Sequence, residues 1–209
     1  MESNNPKTAE FEARSIPAPE SINAIGVTIG HLALERIGIV EVRNTVEALN
    51  FQQHHEELGV RLLIIDGDNT IFPHGEEAAP VSTAQKLHDI REQGYVEEIA
   101  LVSNNPDLDL ARSRGEAIDV DTVAVPTSIT DMKPGSALIN RAITERGARP
   151  EISIGVGDGV TDYLAYLRAG IPTALVDGYG PQDARGYPMR STLRRMQGPL
   201  RSKLKCFFE

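Results

Sequence analysis

The chain has 209 residues, of which 40% are hydrophobic and 24% charged, a composition that excludes wholesale disorder and a collagen-like rod. No apolar run reaches the ~18 residues that a membrane-spanning helix needs, which excludes a membrane bundle. The net charge of −9 is unevenly distributed: residues 1–180 hold 14 basic against 28 acidic residues, an acidic balance that argues against nucleic-acid binding, whereas residues 181–209 hold seven against two.

Composition along the chain predicts three segments. Residues 1–20 are polar and contain three prolines, which indicates a flexible N-terminal arm. Residues 21–180 are predicted to form a single domain, and residues 181–209 a basic tail. The single cysteine, Cys206, excludes an internal disulfide and a cysteine-based zinc site within one chain. With no basic and apolar leader visible, the expected location is the cytoplasm.

The first predicted helix precedes the first predicted strand. Asn44 is a candidate N-cap for a helix that runs to about Leu58 and ends at Gly59, with Val46, Leu49 and Leu58 facing inward. The apolar run at 60–65 then predicts a strand that is buried on both faces.

Helices and strands alternate in the rest of the predicted domain. The elements in chain order are a helix at 82–93, a strand at 99–102, a helix at 108–116, a strand around Val123, a helix at 135–146, a strand at 152–156, a helix at 161–168 and a strand at 173–176. Short links between them predict an α/β fold, a parallel β-sheet flanked by helices on both faces.

Reactive or ionic residues follow several predicted strands. In an open parallel sheet, ligands bind beyond the carboxyl ends of the strands. The candidates there are Asp66, Asp68, Ser103, Lys133, Asp158 and Asp162. Carboxylates, a hydroxyl and an ammonium group together suit Mg²⁺ and a phosphoryl group.

Four segments resemble, in order and spacing, the motifs of the haloacid dehalogenase-like (HAD) phosphatases: LLIIDGDNTIF, LVSNN, KPGSALINRA and GVGDGVTD. The similarity covers residues 60–176. The DxDNT form, with SNN and KPG, most resembles the capless subfamily IIIA branch that contains phosphatidylglycerophosphate phosphatases. It implies a three-layer Rossmann-like core and hydrolysis of phosphomonoesters.

The resemblance also implies a role for each motif residue. Asp66 is the expected nucleophile, which forms an aspartyl-phosphate, and Asp68 is the expected general acid and base. The expected phosphate-binding residues are Thr70, Ser103, Asn104 and Lys133.

A Mg²⁺ ion is the cofactor that the resemblance implies. Its expected ligands are an Asp66 oxygen, the Asp68 backbone carbonyl and Asp158. Asp162 is expected either to ligate through water or to brace Lys133, and its position in the first turn of a helix is an alternative explanation.

The motif spacing predicts no cap domain. Thirty-two residues separate Thr70 from Ser103 and 29 separate Ser103 from Lys133, and a helix and a strand already fill each interval. An open site suits a large substrate such as a protein, a nucleic-acid end or a lipid headgroup, or closure by an oligomer partner. His74 lies where the family places a flap and is a candidate for substrate contact. The other histidines show no ligand spacing, and solvated or capping roles are expected for them.

The basic tail carries an apolar stripe at intervals of three and four residues: Leu193, Met196, Leu200, Leu204 and Phe207. Two interpretations stay open, peripheral contact with an anionic membrane and docking onto the domain itself. Gly198 and Pro199 argue against one continuous helix.

The sequence therefore predicts a Mg²⁺-dependent phosphatase whose substrate is open. Phosphatidylglycerophosphate is one candidate, and a phosphoprotein, a nucleotide or a sugar phosphate are the others. A response-regulator receiver is disfavoured because its phosphorylated aspartate ends a third strand. A phosphotransferase or mutase is disfavoured by the missing cap. A catalytically idle binding module is disfavoured because the motif carboxylates and Lys133 are all present.

Overall fold

A computed structural model of the chain describes residues 38–73 and 76–179. The predicted arm at 1–20, the predicted tail at 181–209 with its apolar stripe, and His74 lie outside these residues. None of the described helices is long and apolar enough to cross a membrane.

Strands and helices alternate along the described chain. The strands are β1 Ile39–Arg43, β2 Leu62–Asp66, β3 Glu98–Val102, β4 Thr122–Ala124, β5 Ser153–Gly157 and β6 Thr173–Val176. The helices are α1 Phe51–Leu58, α2 Val81–Glu92, α3 Leu108–Ala117, α4 Ala137–Glu145 and α5 Val160–Ala169. Short 3-10 turns lie at Val46–Ala48, Ile129–Asp131 and Pro150–Ile152.

All six strands belong to one sheet, in the order β1-β6-β5-β2-β3-β4, and every pair is parallel. From β2 the chain moves outward through β3 to β4, then crosses back to place β5 on the other side of β2. This reversal is a topological switch point between β2 and β5. Ligands of open α/β sheets bind at such a point, beyond the carboxyl ends of the strands.

The two faces of the sheet are buried under separate helix layers. Leu63 of β2 belongs to the cluster that includes Phe51 of α1 and Leu87 of α2. Leu62, which points to the opposite face, belongs to the cluster that includes Leu138 of α4 and Tyr166 of α5. The predicted three-layer Rossmann-like α/β fold is confirmed. Across the described residues no cap domain is inserted between β2 and β5.

From residue 60 onward the predicted elements are present, with ends that differ by at most two residues. The predicted helix from Asn44 is wrong in its first half. The helix begins at Phe51, because Asn50 is the N-cap and its side chain accepts a backbone N–H of the first turn at 3.1 Å. Gly59 ends the helix as predicted, with φ of 66°, but Leu58 is 38% exposed rather than inward-facing.

The unpredicted strand β1 carries a buried carboxylate, Glu41. His54 Nε2 lies 2.7 Å from its Oε2, Arg43 Nε lies 2.8 Å from its Oε1, and the Asn50 N–H donates to Oε2 at 3.0 Å. The expected solvated or capping role is wrong for His54, which is buried, because its ring reaches across from α1 to this carboxylate. We call these four residues the β1–α1 cluster.

Candidate active site

The loop after β2 turns back sharply and places two aspartates at the carboxyl edge of the sheet. The N–H groups of Ile71 and Phe72 both donate to the Gly67 carbonyl, at 3.1 and 3.0 Å. Thr70 is buried, and its Oγ1 donates to Asp66 Oδ2 at 3.1 Å. The hydroxyl of Thr70 therefore orients the Asp66 carboxylate and ties it to its own loop.

Lys133 reaches the same carboxylate from the segment before α4. Its side chain is buried, and its Nζ contacts Asp66 Oδ1 and lies 2.6 Å from Asp162 Oδ1. Burial alone would lower the pKa of Lys133, but the charges of Asp162 and Asp66 raise it well above its ordinary value. Lys133 is therefore a fixed positive charge between two carboxylates.

For Asp66, burial and a neighbouring negative charge favour the neutral form. Burial, assisted by the negative charge of Asp162, raises its pKa to about 7, although Lys133 opposes the shift. In the metal-free protein the Asp66 carboxylate is therefore poised to change its protonation state near neutral pH.

Three carboxylates meet at the switch point. Oxygen atoms of Asp66, Asp158 and Asp162 lie within 4.8 Å of one another. Lys133 contacts two of them. Three hard oxygen donors at this spacing fit a divalent cation such as Mg²⁺. We call Asp66, Asp158, Asp162 and Lys133 the carboxylate cluster.

Asp162 is fully engaged within the protein. Its Oδ1 pairs with Lys133, and its Oδ2 accepts the N–H of Gly159, the N-cap residue of α5, at 3.2 Å. Asp162 thus contacts Lys133 and also caps the N-terminus of α5, in keeping with its place in the first turn of that helix. The side-chain carboxylate of Asp68 lies outside the group of three.

The segment after β3 supplies Ser103 and Asn104. Ser103 is buried, and its Oγ accepts the Asn105 N–H at 3.0 Å. The Asn104 amide binds the backbone of Lys133 in both directions: Nδ2 donates to the carbonyl at 3.0 Å, and Oδ1 accepts the N–H at 2.7 Å. Asn104 therefore positions the backbone of Lys133, and the second hydrogen of its Nδ2 is left for another acceptor, so its predicted role in phosphate binding stays a prediction.

Asp68 has a charged partner that the sequence analysis missed. Arg114 Nη1 donates to Asp68 Oδ1 at 2.8 Å, while Ser103 Oγ lies 3.5 Å from Oδ2. Arg114 lies inside α3 and belongs to none of the four motifs. The available signal was its spacing from Ala111 and Ile118, three residues before and four residues after it, which are buried inside α3 and at its C-cap.

Comparisons with known proteins give structural neighbours only. No family model matches the sequence, and no curated protein matches it. The D,D-heptose 1,7-bisphosphate phosphatase from B. bronchiseptica, complexed with magnesium and phosphate, is 16% identical with a TM-score of 0.49, over 66% of this chain and 98% of that one.

Two further solved structures have similar scores. A HAD-superfamily hydrolase from Geobacter sulfurreducens is 13% identical with a TM-score of 0.43, over 58% of this chain and 92% of that one. The cobalt-bound deoxy-D-mannose-octulosonate 8-phosphate phosphatase from Haemophilus influenzae is 15% identical with a TM-score of 0.45, over 57% and 70%. At these identities and scores, the chemistry of this chain has to be inferred from its own residues.

Proposed function

We propose that this protein is a HAD-type phosphomonoester hydrolase that depends on Mg²⁺ and forms an aspartyl-phosphate on Asp66. The observation that carries the proposal is the carboxylate cluster at the switch point, in which Lys133 contacts Asp66 and Asp68 follows two residues later. Nucleophile, charge neutraliser and proton donor thus lie at one edge of the sheet.

The reaction proceeds in two displacements at phosphorus. An Asp66 oxygen attacks, the bond from phosphorus to the alcohol oxygen breaks, and Asp68 gives its proton to the leaving alcohol. Asp68 then takes a proton from water, whose oxygen attacks phosphorus and releases inorganic phosphate from Asp66. Lys133 offsets the charge of the transferred group throughout.

Asp66 and Asp158, with the Asp68 backbone carbonyl, are the groups proposed to hold the metal ion. When bound, Mg²⁺ supplies positive charge beside the transferred phosphoryl group and the nucleophile. Ionisation of Asp66 is what the attack requires, and burial, which raises the pKa of Asp66 to about 7, opposes it.

The open edge favours a large or membrane-presented substrate. Val81 at the start of α2 and Leu108 at the start of α3 are 85% and 37% exposed, and Ile129 between β4 and α4 is 87% exposed. Each follows a strand of the parallel sheet, so all three lie on the same edge as Asp66. Exposed apolar side chains on the edge that carries the site suit contact with a membrane surface, which supports phosphatidylglycerophosphate, handled at the cytoplasmic side of a membrane, as the candidate substrate.

Phosphate release from a substrate panel tests the proposal. The panel contains 4-nitrophenyl phosphate, phosphatidylglycerophosphate in vesicles, a phosphopeptide, a nucleotide and a sugar phosphate. We expect activity with Mg²⁺, loss with EDTA, and a loss on the order of 10³-fold or more in Asp66→Asn. Asp109→Asn, a change of an exposed aspartate on α3, is the matched control.

Two outcomes of this panel contradict different parts of the proposal. Activity that survives Asp66→Asn would refute the aspartyl-phosphate mechanism. The lipid would be refuted as the substrate if kcat/KM for the soluble phosphopeptide, nucleotide or sugar phosphate exceeded that for the vesicle substrate. That outcome would not contradict the aspartyl-phosphate mechanism.

A further inference from the structure

We infer that Arg114 is a positioning residue for Asp68, one that confines the catalytic proton of this carboxyl group to its Oδ2 oxygen. The inference rests on the proposed phosphatase function and names a residue outside the four motifs that controls the acid and base step.

The contacts of Arg114 fix its guanidinium group in place. Its side chain is 5% exposed, and Nη1 donates to Asp68 Oδ1 at 2.8 Å. Nη2 donates to the backbone carbonyl of Glu76, and the guanidinium carbon lies 4.8 Å from the centre of the Phe72 ring. Phe72 and Glu76 both follow β2, so Arg114 anchors the segment that carries Asp68 to α3.

The two oxygens of Asp68 are thereby made different. An arginine has donors and no acceptor, and a carbonyl oxygen accepts its hydrogen bond better than a carboxyl O–H oxygen does, so the bond from Nη1 favours Oδ1 as the unprotonated oxygen. Among the described residues, Ser103 is the one that approaches Oδ2, at the long distance of 3.5 Å. Oδ2 is therefore the oxygen that holds the proton before it passes to the leaving alcohol.

The exposure of the pair supports a role at the reacting atoms. Arg114 is buried, whereas the Asp68 side chain is 34% exposed. A carboxyl group that is held on one oxygen and open on the other suits proton exchange with a substrate and with water. Loss of the guanidinium would free the carboxyl group to rotate, and the proton would no longer be aimed at the leaving oxygen.

Leaving-group dependence separates this role from a purely structural one. The probes are 4-nitrophenyl phosphate, whose leaving group departs without full protonation, and phenyl phosphate, whose leaving group needs the proton more. In Arg114→Met, which keeps the apolar stem over Phe72, we expect kcat for phenyl phosphate to fall about tenfold more than kcat for 4-nitrophenyl phosphate, with KM little changed.

The matched control is Arg112→Met, which removes the same charge from an exposed position on the same helix. We expect both substrates to be hydrolysed as by the unchanged protein. Arg114→Lys keeps the positive charge and a single hydrogen-bonding group. It replaces Arg114→Met in the experiment if that variant does not fold. We expect it to show the same discrimination to a smaller degree.

A double-mutant cycle completes the experiment. In an Asp68→Asn background, Arg114→Met is expected to add no further discrimination between the two substrates, because the proton donor is already absent. Equal loss on both substrates in the Arg114 variants would overturn the inference. A full-length protein that hydrolyses neither probe, or whose activity survives Asp66→Asn, would contradict the proposed function instead.

Discussion

The carboxylate cluster and the β1–α1 cluster are both buried groups of charged residues, but they are balanced differently. In the β1–α1 cluster one carboxylate, Glu41, meets Arg43, His54 and a backbone N–H. In the carboxylate cluster three aspartates lie together, and two of them share one ammonium group. The first has one carboxylate with a partner on each oxygen, whereas the second holds three carboxylates close to one another.

This difference separates structural from functional use of buried charge. A buried carboxylate that is fully paired ties elements together and asks for no ligand. Several carboxylates held close together in a buried setting are unfavourable alone, because they repel one another. A bound cation makes the arrangement favourable, so such a cluster favours cation binding. The contrast predicts that substitutions in both clusters lower stability, but that activity, metal binding and the pH dependence of stability belong to the carboxylate cluster.

Lys133→Met is expected to have the largest effect, because it removes the one cation of the carboxylate cluster. The free energy of unfolding at pH 7 without metal should fall by about 4 kcal/mol, since Asp66 and Asp162 lose a buried partner. Urea unfolding measures it, with Arg112→Met as the control. The loss should shrink at pH 5, where Asp66 takes up a proton, and an equal loss at both pH values would contradict the electrostatic cause.

Glu41→Gln is expected to lower the free energy of unfolding by about 3 kcal/mol, because His54 and Arg43 lose their shared carboxylate. Activity of the folded protein on 4-nitrophenyl phosphate should be unchanged, since the contacts of this cluster join β1 to α1. The exposed Glu97→Gln is the control, and its pair with Arg61 should be worth less than ~1 kcal/mol. A fall in kcat in Glu41→Gln would contradict the purely structural role of the β1–α1 cluster.

Mg²⁺ should stabilise the folded protein through the carboxylate cluster alone. At a free concentration ~100 times its Kd, bound metal adds about 2.7 kcal/mol to the free energy of unfolding. Thermal unfolding with and without Mg²⁺ should show this shift in Glu41→Gln and in Asp109→Asn, and a much smaller one in Asp158→Asn. A full shift in Asp158→Asn would remove that residue from the metal site.

The smallest expected effect is the change in metal-free stability over a single pH unit. The pKa of Asp66 is about 7 in the folded protein against an ordinary value of 3.8, so between these values the folded state holds the extra proton. The contribution of Asp66 to the free energy of unfolding therefore falls as pH rises from about 4 to 7, with a slope of at most ~1.4 kcal/mol per pH unit. In EDTA, Asp66→Asn should lack this slope and be the more stable protein at pH 8. Parallel curves for the two proteins would contradict the raised pKa.

The sequence alone determined the helices and strands from residue 60 onward, with their ends to within two residues. Runs such as Leu62 to Ile65 are apolar on both faces, and this local pattern is sufficient to identify a buried strand. Reactive residues directly after such strands, from Asp66 to Asp158, follow from the same pattern, because the carboxyl ends of parallel strands share one edge.

The tertiary structure alone decided the partners of these residues. β1 pairs with β6, more than a hundred residues later. Three of its five residues are β-branched, so the local pattern favours a strand, but its place in the sheet is set by that pairing. His54 is buried because Glu41 of that strand reaches it. Arg114 meets Asp68 because α3 packs beside the loop after β2. Periodicity fixes which way a side chain points along its own helix or strand, whereas its partner is fixed by contacts between segments that are far apart in the chain.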